Sequence, residues 1–133
     1  MTDVDLNPDG PHSPERTAEL GDLFDQCSRV ITYATMPGRG GLEYPADAYR
    51  LLGELYSGTG RLSQMCEQLE QFIRAQVASG RLYEARGRDV GDQVNKAAAR
   101  LRQAAGAAQA LTQLLRAVQV DIAGLGVKEN PDE

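Results

Sequence analysis

The sequence predicts an all-α protein built as a three-helix up-down bundle, and three observations support this fold class. Apolar residues recur at helical spacing in three separate segments of the chain. Each segment opens on a residue suited to the start of a helix, namely Pro14, Pro45 or Asp89. Pro-Gly and Ser-Gly pairs, which commonly end helices, follow the first two segments.

The third segment carries the longest pattern, a heptad seam of the kind found in coiled coils. Its apolar residues, at spacings of three and four, are Val90, Val94, Ala97, Leu101, Ala104, Ala108, Leu111, Leu115, Val118, Ile122 and Leu125. A seam this long requires a partner surface of equal length. We therefore expect helix 3, from about 90 to 123, to pack along its whole length on another helix.

The first two segments predict helix 1 over 14–36 and helix 2 over 45–79. Glycines within 57–60 interrupt the second segment and resemble a turn. Leu55 and Leu62 are one heptad apart, so the apolar stripe keeps its phase across these glycines. This favours one continuous helix, and two helices with a corner at 57–60 are the alternative.

Helices 2 and 3 have similar lengths and a short connection, which predicts a long antiparallel hairpin. The shorter helix 1 is expected to fold back over the start of helix 2 and the end of helix 3. The helical domain then spans 13–126. An acidic tail at 1–12 and a short tail at 127–133 are expected to be disordered.

The residues give little sign of an active site, a metal site or a cofactor site. The single histidine, His12, lies in a Pro- and Gly-rich tail, so a catalytic triad lacks its base. Cys27 and Cys66 are too few for a metal site and are expected to be reduced and mostly buried. We expect no enzyme, no catalytic residue, no metal and no cofactor.

Composition indicates a cytoplasmic protein that does not bind membranes. No apolar run approaches the roughly 18 residues that a membrane span needs. The N-terminus is acidic, whereas a secretory signal begins with basic residues and an apolar core. Export without such a signal remains an open alternative. The net charge of -5 argues against general binding of nucleic acid.

Basic residues nevertheless gather at the expected tip of the hairpin. Residues 67–102 hold seven basic and five acidic side chains, whereas residues 1–60 hold four and ten. The basic tip consists of Arg74, Arg81, Arg86 and Arg88. Ordinary solubilising charge, an acidic partner protein, association between unlike ends and nucleic acid are all compatible with it. Nucleic acid is least favoured, because acidic residues interleave with the arginines.

The half of the hairpin that helix 1 is too short to cover is the predicted docking surface. Its candidate protein-binding residues are Met65, Leu69, Phe72, Val77, Leu82 and Tyr83. A large exposed apolar patch usually marks an interface. We therefore expect a homodimer and a non-enzymatic helical module for protein–protein interaction or assembly, whose partner protein is unknown. The alternative is a small dimeric regulator that binds nucleic acid through the basic tip.

Tyr49-Arg50-Leu51-Leu52-Gly53-Glu54-Leu55 and Arg61-Leu62-Ser63-Gln64, with the alanine-rich helix that follows, resemble short uncharacterised helical proteins of high-GC actinobacteria. The resemblance covers 45–125 and implies an all-helical fold, but no activity. The length and the helix hairpin are also similar to small type VII secretion substrates. This sequence departs from them because it lacks tryptophan and thus their Trp-x-Gly turn.

Overall fold

The computed structural model describes residues 4–132, and the regular structure within them consists of three helices. These are α1 (Pro14–Ala34), α2 (Pro45–Ala78) and α3 (Val90–Ile122). The predicted all-α class, with two long helices and a shorter first one, is confirmed, and each predicted helix end lies within two residues of the observed one. The chain divides into two units between Glu43 and Tyr44.

The first unit holds α1 and the segment that precedes it. Ser13 caps α1, with its hydroxyl accepting the backbone N–H of Arg16 at 3.0 Å, and Pro14 occupies the first turn. The Arg16 guanidinium donates to the carbonyl oxygens of Asp5 at 2.8 Å and Asn7 at 2.6 Å. The start of the helix therefore holds the preceding segment by hydrogen bonds.

No residue of α1 is buried, although its apolar stripe follows the predicted spacing. Phe24 and Val30 are exposed, and so is Cys27. The prediction of a mostly buried Cys27 is therefore wrong, because its unit contains no second helix to cover it. Both cysteines are free, as predicted, and Cys66 is half-buried.

Helix α2 runs without interruption through the glycine segment at 57–60, which confirms the prediction of one continuous helix. Gly58 and Gly60 lie within the helix and neither has a positive φ. At its N-terminus the Asp47 carboxylate accepts the backbone N–H of Tyr44 at 2.8 Å, and Pro45 occupies the first turn. The corner alternative is absent because the side chains on either side of the glycines pack on the same neighbouring helix.

Helices α2 and α3 form the predicted antiparallel hairpin. Residue numbers on α2 rise as those of their partners on α3 fall, in four side-chain contacts between the helices. These contacts join Tyr49 to Gln119, Thr59 to Thr112, Ser63 to Ala105 and Glu70 to Arg102. The last three join the middle of α2 to the middle of α3, and the first ties the open end, so the register is fixed over most of the hairpin.

The most deeply buried residues of the contact seam are small or polar, which corrects the predicted seam in part: Ala108 of that seam is buried and its Leu101, Leu115 and Ile122 are half-buried, whereas other members lie outside the contact. The α3 residues buried in it are Ala98, Ala105, Ala108 and Gln119, and the buried α2 residues are Ser63 and Glu70. The predicted seam instead included Leu111 and Val118, and both are exposed. Each lies one residue before a seam residue, so the helix is rotated relative to the prediction by part of a turn.

Close approach of the two backbones explains why the small residues form the seam. The Ser63 hydroxyl donates to the backbone carbonyl of Ala105 at 3.0 Å, and a side chain this short reaches the opposite helix only where the backbones are near. Ala98 has no exposed surface at all. The buried hydroxyls and amides of the seam find partners across it, so the cost of burying them is offset.

Candidate functional site

The candidate site is an apolar face on one side of the α2–α3 hairpin. Its large side chains are exposed although they are aliphatic or aromatic; Phe72 is 59% exposed and Leu69 is 51% exposed. The face consists of Leu55, Leu62, Met65, Leu69 and Phe72 on α2, and of Ala104, Ala107, Leu111, Leu114 and Val118 on α3. We call this set the apolar face.

Helix geometry places these residues on a single side. Leu62 and Leu69 each precede a seam residue of α2, and Ala104, Leu111 and Val118 each precede one of α3. One step back along a helix is a rotation of about 100°. Because the helices are antiparallel, equal rotations on both lead to the same face of the hairpin. The exposed leucines of α2 and α3 therefore lie side by side.

The opposite side of the seam is polar, which confirms this division of the hairpin. Glu70 accepts from Arg102 Nε at 2.6 Å and 2.9 Å, and Arg74 lies 3.5 Å from the same carboxylate. Arg116 stacks over the ring of Tyr56, with its guanidinium carbon 5.8 Å from the ring centre. These charged pairs lie on the side of the seam opposite the exposed leucines, whereas Arg100, which precedes Leu101, lies on the leucine side.

The electrostatics of this polar side centre on Glu70. The hydrogen bond from Arg102 lowers the pKa of the Glu70 carboxyl below its ordinary value, and Arg74 acts in the same direction. Partial burial opposes them by raising the pKa, but the two guanidiniums outweigh it. Glu70 is therefore ionised at neutral pH and holds α2 and α3 together from the polar side.

The sequence-predicted docking residues divide into two groups. Met65, Leu69 and Phe72 lie together on the apolar face. Val77 lies further toward the tip, where it lines a shallow pocket with Arg74 and residues of α3. Leu82 and Tyr83 lie in the loop between the helices, and Tyr83 is almost fully exposed.

The predicted basic tip is less uniform than its arginine content implies. Arg74 pairs with Glu70, and Arg88 Nε donates to Glu84 at 2.9 Å. Glu84 also accepts the backbone N–H of Arg86, and Arg88 lowers the pKa of the Glu84 carboxyl. Two of the four predicted basic residues are thus neutralised by carboxylates, which weakens the field that a phosphate backbone would meet.

Tests for other kinds of site give no candidate among residues 4–132. No three His, Cys, Asp or Glu side chains there lie close enough together to hold a metal ion. None of the three helices combines the length and the apolar character needed to cross a membrane. No family model, curated protein or solved structure matches the chain.

The α3 half of the apolar face is the part that sequence reasoning missed. Leu111 and Val118 were assigned to the seam, and Leu114 was not assigned to any surface. The available signal was residue size: Ala98, Ala105 and Ala108 keep the heptad spacing with only small side chains. A second small-residue register beside a leucine register predicts a close-packed seam and a separate apolar face.

Proposed function

We propose that this protein is a non-enzymatic helical module for protein–protein interaction or assembly, and that it binds its partner through the apolar face. The observation that carries the proposal is the separation of roles on the hairpin. Small and polar residues such as Ser63, Ala98 and Ala105 form the contact between α2 and α3. Leu101, Leu115 and Ile122 are half-buried beside them, whereas the most exposed large side chains of the hairpin, which would gain free energy on burial, include Leu69, Phe72 and Leu114 of the apolar face.

The size of the apolar face fits this role. From Leu55 to Phe72 on α2, and over the same length of α3, the face extends about 25–30 Å along the helices. Two adjacent helices give it a width of about 20 Å. The resulting footprint of about 500–600 Å² equals or exceeds the largest apolar patch of a typical monomer. It is also near the scale of one side of a stable protein–protein interface.

The residues that could do chemistry support a binding role rather than a catalytic one. The His12 ring contacts the Pro8 carbonyl and the Arg16 guanidinium, and neither is a nucleophile or an orienting carboxylate. Glu70, the carboxylate between α2 and α3, is engaged by two arginines and stabilises the register. A binding module needs neither a base nor a nucleophile, and the apolar face supplies what it does need.

Photo-crosslinking tests the proposal at the level of single positions. A photoreactive phenylalanine analogue replaces Leu69 on the apolar face, and in a matched variant it replaces Val120, which is 59% exposed on the opposite side of the hairpin. After irradiation in cells of the source organism, we expect a discrete crosslinked protein from position 69 and none from position 120.

Mass spectrometry of the adduct then identifies the partner chain. A discrete adduct at position 69 that is absent at position 120 supports an interaction through the apolar face. Equal or absent crosslinking at the two positions contradicts the proposed function.

A further inference from the structure

The side chain of Arg16, in the first turn of α1, binds the chain that precedes the helix. We call residues 5–12 the N-terminal segment. Nη2 of Arg16 donates to the carbonyl oxygens of Asp5 at 2.8 Å and Asn7 at 2.6 Å. Nη1 donates to the carbonyl oxygen of Pro11 at 3.2 Å. One guanidinium therefore connects both ends of the N-terminal segment to the helix.

His12 completes this contact, and its two hydrogen bonds determine its protonation state. Nδ1 lies 3.0 Å from Nη1 of Arg16, and Nε2 lies 3.0 Å from the carbonyl oxygen of Pro8. A guanidinium only donates hydrogen bonds, and a carbonyl oxygen only accepts them. Nδ1 must therefore accept without a proton of its own, while Nε2 carries a proton. Only the neutral imidazole with its proton on Nε2 satisfies both partners.

A proton on Nδ1 of His12 removes the acceptor that Arg16 uses. Two donors that each carry positive charge then face each other across 3.0 Å. An imidazolium has no acceptor in any orientation, so rotation of the ring does not restore the hydrogen bond. Nη1 keeps only the Pro11 carbonyl at 3.2 Å, which is the longest of the contacts that the guanidinium makes.

Two further features of the contact oppose an adjustment in place. An added Cβ at Gly10 would lie 3.1 Å from Cδ2 of the His12 ring, so the ring packs against the backbone at Gly10. Nε of Arg16 is buried and has no hydrogen-bond acceptor among residues 4–132. A buried donor without a partner costs free energy. This cost already opposes the bound arrangement, and loss of the His12 acceptor adds to it.

The charged groups around His12 do not compensate a positive charge on its ring. Arg16, on α1, faces the ring with a charge of the same sign. Asp5 accepts a backbone N–H of the N-terminal segment at 3.0 Å. Asp9 and Glu15, the carboxylates nearest to His12 in the chain, make no hydrogen bond or ion pair with the ring among the contacts of residues 4–132.

From this geometry we propose that His12 and Arg16 form a pH-sensitive clamp, which holds the N-terminal segment on α1 while His12 is neutral and releases it when His12 gains a proton. Histidine changes its charge between about pH 5 and pH 8. The segment is therefore held at the alkaline end of this range and released at the acidic end. Release frees the Arg16 guanidinium and the backbone carbonyls that it binds. The clamp does not depend on the proposed function.

Nuclear magnetic resonance relaxation of the ¹⁵N-labelled full chain tests the clamp at the amides of Asn7 and Gly10. At about pH 8 their order parameters should approach about 0.85, the value of a rigid backbone, and at about pH 5.5 they should fall below about 0.6. The ¹⁵N shifts of the His12 ring report its protonation in the same samples. Nδ1 should gain its proton with the same midpoint as the loss of order. The amides of 20–30 in α1 should stay ordered throughout.

Two variants at position 12 assign the response to the ring. His12 is the single histidine of the chain, and the amino terminus, which also titrates in this range, is unchanged in both variants. His12→Gln has a polar side chain that does not titrate, so its N-terminal segment should stay ordered at both pH values. His12→Lys places a permanent cation beside Arg16, so its segment should be mobile at both.

Several results would overturn the clamp. These are order parameters that are equal at the two pH values, a wild-type segment that is already mobile at about pH 8, and different midpoints for ring protonation and loss of order. A loss of order in His12→Gln that follows wild type would assign the response to another group and would also overturn it. If His12→Gln is mobile at both pH values, agreement or disagreement of the two wild-type midpoints decides.

Discussion

Alanine substitution of two glycines in α2 should have opposite outcomes, although both glycines lie in the interior of the same helix. Gly58→Ala is expected to stabilise the protein by about 0.8–1 kcal/mol, because alanine loses less backbone entropy on folding. At Gly58 no atom lies within 4 Å of an added Cβ, and its φ is not positive. The gain is therefore not reduced by a clash.

Gly53→Ala gains the same entropy but meets a buried side chain. An added Cβ would lie 2.8 Å from Nε2 of Gln119, which is too close, so the amide must move. That amide donates to the Tyr49 carbonyl at 3.2 Å and accepts from Arg116 at 2.9 Å. Disturbing these buried bonds costs about 1–3 kcal/mol. The net change is therefore between zero and about 2 kcal/mol of destabilisation.

Thermal unfolding at one protein concentration compares the two variants. For a hairpin of this length, 1 kcal/mol corresponds to about 4–8 °C in Tm, so Gly58→Ala should melt higher than wild type by several degrees. Gly53→Ala should melt at or below the wild-type temperature. If Gly58→Ala lowers the Tm, or if both variants raise it equally, the continuous helix and the Gln119 contact described above are wrong.

Three other predictions concern the seam, the polar side and the tip. Ala98→Leu should lower the free energy of unfolding by about 1–3 kcal/mol in a denaturant titration, because Ala98 has no exposed surface. Ala99→Leu, on the exposed side, should change that free energy by less than about 0.5 kcal/mol. The pKa of Glu70 is depressed in the folded state, so its stabilising effect is present above the unfolded pKa of about 4.3 and is lost as the pH falls through the folded pKa. The Tm of wild type should therefore fall more steeply with decreasing pH than the Tm of Glu70→Gln below about pH 4.3. The control variant Glu67→Gln should show the same dependence of Tm on pH as wild type, and a dependence like that of Glu70→Gln would contradict this. Because Arg74 and Arg88 are paired with carboxylates, the wild-type protein should elute from a DNA column at low salt. The triple variant Arg81→Glu/Arg86→Glu/Arg88→Glu should elute no earlier than wild type. If the triple variant elutes at a much lower salt concentration than wild type, the nucleic-acid alternative is favoured.

Periodicity was sufficient to predict the helices and their hairpin. The heptad relation between Leu55 and Leu62 correctly predicted a continuous α2, because a packed stripe keeps its phase only if the helix does. The caps at Ser13 and Asp89 also lie where the sequence placed them. These features depend on local chemistry and on spacing along one helix, which a single sequence contains.

The rotation of each helix about its own axis could not be read in the same way. Hydropathy alone favours Leu62 and Leu69 over Ser63 and Glu70 as the residues that contact α3. Backbone approach and cross-helix bonds reverse this choice, because Ser63 reaches the Ala105 carbonyl and Glu70 reaches Arg102. The stabilisation from these two hydrogen bonds depends on residues about 30–40 positions away in the chain. The hydropathy pattern of a single helix contains no information on those partners.

The same rotation explains why only part of the candidate site was predicted. Met65, Leu69 and Phe72 can be predicted because the sequence makes helix 1 shorter than the hairpin. Their neighbours Leu111 and Leu114 were missed because they were assigned elsewhere or not at all. Once the seam is known to be small and polar, both halves of the apolar face follow from one rotation.

Hydroxyl-radical footprinting tests most directly the central claim that the apolar face is a docking surface. Oxidation rates of Met65 and Phe72, on the face, are compared with that of Val120, on the opposite side, in the protein alone and after addition of the partner that crosslinking identifies. The account predicts that all three residues react readily in the protein alone and that Met65 and Phe72 become several-fold protected by the partner, while Val120 is unchanged. Rates at Met65 and Phe72 that the partner leaves unchanged, or protection of Val120 in their place, would contradict it.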